Sequence, residues 1–117
     1  MIKPIELKAT LSQLLFQKTI ITISWEQIHW CEQHPEDFET TFFPLEITED
    51  RLKNLGFILN EVTDLYGLLG FAFKKEKYDQ IIILSTFATI EVKYIHHIQD
   101  IIHAITGQIV KLDKDAR

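Results

Sequence analysis

One cysteine, one methionine, three prolines and four glycines are all this 117-residue chain holds of those residues, and each scarcity excludes something. A lone thiol, Cys31, cannot close an internal disulfide, which fits a reducing, cytoplasmic setting. So few glycines and prolines leave no composition-biased linker, and no internal repeat or low-complexity tract is visible. Long hydrophobic runs are missing too. The longest purely aliphatic run, Ile81 to Leu84, is far too short to span a bilayer, and the opening MIKPIELKATL has no continuous apolar leader segment. Positive charge is scarce: twelve Lys and Arg against seventeen Asp and Glu leave a net charge of −5. Phosphate backbones demand clustered cations, so sequence-independent nucleic-acid binding is disfavoured. The one basic cluster, Lys74, Lys75 and Lys77, is broken by Glu76 and followed by Asp79, and reads as a solvated hairpin tip. An acidic surface suits docking on a basic partner.

Catalytic signatures are equally lacking. The chain contains no phosphate-binding P-loop, dinucleotide fingerprint, nucleophile elbow or HExxH zinc motif. The expectation is a non-catalytic protein without a cofactor. What is present is core material: 46% hydrophobic residues, with eight Phe, three Tyr and two Trp. That is enough for one ordinary domain over residues 1–117.

Local patterns predict an α+β fold, a mostly antiparallel sheet packed against one long C-terminal amphipathic helix, with short helices in the N-terminal half. Residues 5–17 mix periods and leave helix and irregular strand open. Thr19 to Ile23 is β-branched throughout and reads as a buried strand. Ser24 opens S-W-E-Q, a capping box for a helix from Trp25 to about Gln33, ending before Pro35. The acidic stretch His34–Thr41 reads as loop, and Phe42–Ile47 as extended. Thr48 caps a helix with Glu49 and Asp50 in its first turn and Gly56 as its stop. From Phe57 to Val92 the pattern is strands: FILNEV, YGLLGFAFKK, DQIIILSTF and ATIEV. Lys75–Tyr78 is the expected hairpin tip, and Gly67 and Gly70 suggest a bulge or a close backbone approach within the second strand. Residues 94–106 place Tyr94, Ile95, Ile98, Ile101, Ile102 and Ile105 within an arc of about 120°, a core-facing stripe. Gly107 ends that helix, and Gln108–Leu112 is expected to return as a strand.

Two clusters hold the residue types that chemistry needs. His96, Asp100 and His103 fall within about 60° on the helix side away from the isoleucines. Imidazoles and a carboxylate suit a divalent transition metal, but one exposed helix face lacks the outer hydrogen bonds that orient real ligands. A solvated polar face is the plainer reading. His29, Cys31 and His34 form the second cluster; Cys31 would point away from His29, and Glu32, Glu36 and Asp37 disfavour a reactive thiolate there. Trp25 and Trp30 offer an aromatic platform, alone or with Tyr94 and His96, for a ligand or partner.

Two segments also carry a resemblance. PLEITEDRLKNLGF (Pro44 to Phe57) is similar to the P-I-P-L-T-E-E-x-L-x-x-x-G-F segment of a family of small uncharacterised proteins of Bacteroidota and their phages. YIHHIQDIIHAITGQIVKL resembles that family's closing Y-[VL]-H-Q-L-Q-N-L-Y-F-A-L-T-G-E-E-L through Tyr94, His96, Ile98, Gln99, Ala104, Thr106 and Gly107. Asp100 stands where the family has Asn, His97 where it has Gln, and His103 lies outside the pattern. The resemblance implies a phage or mobile-element setting, and with it an accessory protein that binds, and inhibits, a host protein in the host cytoplasm. A nucleotide-like ligand held at a homo-oligomer interface by Trp25, Trp30, Tyr94 and His96 is the alternative. A metal-dependent hydrolase built on His96, Asp100 and His103 comes third.

Overall fold

The computed structural model describes residues 7, 8, 11–16 and 19–112. The chain begins with a hairpin of β1 (Gln13–Phe16) and β2 (Thr19–Thr22). The stretch 5–17, which the sequence left open, is thus strand over Gln13–Phe16; residues 5, 6, 9, 10 and 17 lie outside the described residues. Ser24 then caps α1 (Trp25–Gln33) with the expected reciprocal box: its hydroxyl accepts from the Gln27 amide, and the Gln27 side chain accepts from the Ser24 amide.

The acidic stretch expected as loop is a second helix, α2 (Pro35–Thr41). Proline stops one helix but is also well suited to the first position of the next, where its missing N–H is not needed. Glu36 and Asp37 then sit in the first turn, favoured by the helix dipole. A two-residue β3 (Phe42–Phe43) pairs with β1 and completes a three-stranded antiparallel sheet in the order β2-β1-β3.

Thr48 caps α3 (Glu49–Leu55), and Gly56 ends it at φ 116°, a left-handed conformation. Five antiparallel strands follow as a meander: β4 (Ile58–Asn60), β5 (Leu65–Leu68), β6 (Phe71–Lys74), β7 (Lys77–Ile83) and β8 (Ala88–Glu91). The segment read as one strand, YGLLGFAFKK, is the β5–β6 hairpin. Its turn residues Leu69 and Gly70 both have positive φ, 52° and 86°, the backbone that matches strand twist in a two-residue hairpin. Gly70 therefore marks a turn and not a bulge. The next tip is only Lys75–Glu76, so Tyr78 belongs to β7. Between the pairs Ala72↔Ile82 and Lys74↔Lys77, β7 uses five residue steps where β6 uses two. The irregularity turns both Tyr78 and Ile81 toward the core.

The closing helix α4 (Ile95–Thr106) ends at Gly107, which adopts φ 74°. Ile95, Ile98 and Ile102 are fully buried as expected, whereas Ile105 is 56% exposed. The return expected as a strand at Gln108–Leu112 has no ladder partner among the described residues. Its backbone is met by side chains: Gln13 Nε2 donates to Leu112 O (3.1 Å), Gln13 Oε1 accepts from Leu112 N (2.6 Å), and Gln99 Nε2 donates to Val110 O (3.1 Å). The two amides also hold each other, Gln99 Nε2 to Gln13 Oε1 at 2.8 Å, and Gln13 N donates to Gln99 Oε1 at 2.9 Å. Two apolar clusters flank this knot. The larger lies between the five-stranded sheet, α3 and α4 and includes Tyr66, Phe57, Phe71, Phe73 and Ile81. The smaller gathers Leu14, Ile23, Ile28, Cys31 and Phe42 under α1. The fold is α+β.

Candidate functional site

Tyr94 stands where several elements meet. Its segment leaves β8 through Val92 and Lys93, then forms an isolated antiparallel bridge with Glu46 before α4 begins. The Ile95 amide donates to Leu45 O (2.8 Å), and the Val92 amide donates to Asp79 O (2.9 Å), so the segment is fixed on both sides. Tyr94 also lacks the short side chain that caps helices best. His97 reaches back to the segment before the helix instead: its Nδ1 accepts from the Lys93 and Tyr94 amides at 3.2 and 3.3 Å.

An open groove of about 270 Å³ runs along this segment. Glu46 and Ile47 form one wall, Tyr78 and Asp79 of β7 another, and Val92, Lys93 and Tyr94 complete it. Lys93 Nζ lies 5.4 Å from the Tyr94 ring centre, within range of a cation–π contact. Arg51 of α3 reaches the same wall and donates from Nη1 to Glu46 O (2.8 Å). The Tyr78 hydroxyl is buried and has no hydrogen-bond partner among the described residues. Behind it Tyr66, fully buried, donates to Glu49 Oε1 at 2.6 Å. That bond, then the Lys53 ammonium 3.1 Å from the same oxygen, holds the Glu49 carboxyl below its ordinary range. The Tyr66 phenol is pushed up, first by the bond to Glu49 and then by burial. Among the described residues Lys53–Glu49 is the ion pair; the Glu46 and Asp79 carboxylates have none.

The four candidate binding residues are only partly brought together. Tyr94 lines the groove, and His96 stacks on its ring at 5.7 Å between centres. Trp30 and Tyr94 both pack on the smaller core cluster. Trp30 is committed there, stacked on His34 at 4.7 Å and edge-on to Phe42 at 6.2 Å. Trp25, 72% exposed at the start of α1, stands apart from both clusters.

His96 corrects the helix-face expectation. It is fully buried, together with Gln99, whereas Asp100 is half-buried and His103 exposed. The helix is covered on two sides: the sheet takes the isoleucines and β1 takes the neighbouring arc through Gln99, so the buried sector is wider than the apolar stripe. Among the described residues no group of three or more His, Cys, Asp and Glu is arranged to hold a metal ion. In the other cluster Cys31 is fully buried, and burial, aided by the Glu32 charge, raises its thiol to about 11. His34 donates from Nδ1 to Trp30 O (2.9 Å) and so finishes α1. Tyr78 and Asp79 escaped the sequence reading because the β7 irregularity that places them leaves no local sequence mark.

A second feature adjoins the groove. β8 is the outer strand of the five, all four of its residues are exposed, and it runs directly into Val92 and Lys93. At its start Phe87 is 81% exposed and held at φ 55°. A bulky residue rarely adopts that conformation.

Compared with known proteins, the chain matches no family model, no curated protein and no solved structure. No helix among the described residues is long and apolar enough to cross a membrane.

Proposed function

We propose that this is a non-catalytic binding protein that docks on another protein through the free edge of β8 and the groove at its end. The observation that carries the reading is Phe87, a large aromatic standing 81% exposed on a left-handed backbone beside a strand edge that is unpaired among the described residues. Neither core packing nor backbone preference accounts for it, and strained, exposed residues concentrate where binding occurs. An open edge offers unpaired N–H and C=O groups to an extended partner segment, the commonest way a sheet recruits a strand. The net charge of −5 favours a basic partner. The resemblance to the phage-associated family makes that partner a host protein, and makes inhibition of it the expected consequence in the host cytoplasm.

The test is recovery of a stoichiometric partner from host lysate by the wild-type chain and by a Phe87→Lys, Thr89→Lys variant. Both positions are exposed, so the variant folds, and edge lysines block strand addition. Loss of the partner in the variant supports the reading. Equal recovery by both, or no stoichiometric partner at all, overturns it.

A further inference from the structure

We propose that a second copy of this chain stacks on the outer face of the five-stranded sheet, face to face about a two-fold axis. The pairings Ile58↔Gly67, Gly67↔Ala72, Ala72↔Ile82 and Ile82↔Thr89 carry one row of residues across all five strands. Their neighbours Leu59, Tyr66, Phe71, Phe73 and Ile81 point to the core, so this row faces the other way. Ile58 is 76% exposed, and Ile58, Leu65 and Ile82 belong to neither apolar cluster of the described residues. Leu69 and Leu84, at the turns that end these strands, are 48% and 39% exposed and belong to neither as well. The sequence of β7 is written for burial on both faces. Ile81, Ile82 and Ile83 are consecutive there, whereas a sheet with one wet face alternates apolar and polar residues. An apolar face of this kind marks an association surface.

Relief and charge on this face identify its occupant. The row stands high on β7 and β8, with Ile82 and Thr89, and low on β5 and β6, with Gly67 and Ala72. Gly67 has no positive φ, and among the described residues a Cβ there would meet only the Phe71 carbonyl oxygen, at 3.9 Å. Neither its backbone nor its surroundings call for a glycine, and a glycine inside a strand marks close approach from outside. A two-fold axis parallel to the strands, between β6 and β7, lays Ile82 over Ala72 of the second copy and Thr89 over its Gly67. Symmetry repeats both contacts, so each high half enters a low half. The same operation lays Lys74 over Gln80 of the second copy, beside Glu91, which is paired with Gln80 in the sheet. Lys74 shares a hollow of about 50 Å³ with Gln80, Ile82 and Thr89, which places it on this face. Neither Lys74 nor Glu91 has an ion pair among the described residues, and the dimer gives both one. The face therefore carries both halves of its own complement. Strands about 4.8 Å apart and about 17 Å long present roughly 400 Å² of flat face. That is below the roughly 800 Å² per partner of a standard interface, so the dimer is weak and micromolar. Stacking leaves the β8 edge free, so the inference goes beyond the docking reading and does not depend on it.

The experiment is sedimentation velocity on the intact protein from about 1 µM to about 1 mM, a span that brackets weak interfaces of this size. The expected result is a reversible monomer–dimer equilibrium. Lys74→Glu and Glu91→Lys, both at exposed positions and so without cost to the fold, each raise the dissociation constant about three- to ten-fold, the range of two exposed ion pairs reversed. The double variant Lys74→Glu, Glu91→Lys restores it to within about two-fold, because the pairs re-form with their signs exchanged. Gly67→Val fills the low half and raises the constant at least about ten-fold, while the amide spectrum of the dilute monomer stays native. A protein that is monomeric throughout overturns the inference. So does a dimer indifferent to these substitutions, such as one formed by pairing two β8 edges. The docking reading is separable, since Gly67→Val leaves the β8 edge intact. If that variant loses the dimer and still captures the partner from lysate, both readings stand. If the wild type dimerises in this pattern and no partner is recovered, docking fails and the dimer stands.

Discussion

Gln99 is a polar residue with no solvent exposure, and its amide makes three hydrogen bonds, both N–H donors included, to Gln13 and Val110. Replacing it with methionine keeps the shape but strands the Gln13 amide and the Val110 carbonyl in the interior. Each buried polar group left unmatched costs about 1–3 kcal/mol, so Gln99→Met should lower the urea midpoint by a correspondingly large step. Cys31 gives a pH-dependent expectation. Its thiol is raised in the folded state from an unfolded value of about 8.5 to about 11. The unfolded chain therefore loses that proton first. The associated stability is complete below about pH 8.5 and falls as pH climbs through about 11. Tyr66, also raised, steepens the decline at still higher pH, whereas Glu49, lowered, withdraws its contribution only on the acid side. Urea midpoints across the alkaline range should show a shallower decline for Cys31→Ala than for the wild type.

Among the elements, what could be read in advance was whatever is coded by adjacent residues. The caps and stops at Ser24, Thr48, Gly56 and Gly107 act over three or four positions, and each helix they delimit is present. Pro35 shows the limit of that logic, because one residue ends α1 and begins α2, and only its ending role was evident. The β5–β6 hairpin was hidden for a related reason: Leu-Gly at its turn is not the Asn-Gly or Asp-Gly signature of such turns. Leu69, at φ 52° and 48% exposed, contributes little packing there. Leu69→Asn should raise stability by about 0.5–1 kcal/mol, since asparagine tolerates that backbone, and thermal unfolding would register it. The groove residues were illegible because long-range register sets them. Nothing near Tyr78 announces that β7 holds extra residues against β6, and nothing in the periodicity of α4 announces a second covering surface over His96.

At the scale of the molecule, two sheets and two apolar clusters are joined through one polar knot. Ile20 of β2 enters the larger cluster, and Gln13 of β1 bonds Gln99 of α4, so the two sheets are tied together by shared packing and hydrogen bonds. Calorimetry should therefore record one unfolding transition whose van't Hoff and calorimetric enthalpies agree. Removing residues 108–117 takes away Val110 and Leu112, both buried, and the groups that Gln13 holds. That truncation should abolish the cooperative transition rather than shift it.

The knot also sets when the protein can fold. The bond from Gln13 to Leu112 closes a span of 99 positions, and contacts of such long range slow folding because chain closure precedes their reward. During synthesis Gln13 leaves the ribosome 99 positions ahead of Leu112. The strand that needs it must wait. The knot therefore forms only after Leu112 has emerged, and until then β1 and β2 stand open to any binding factor that meets the nascent chain first.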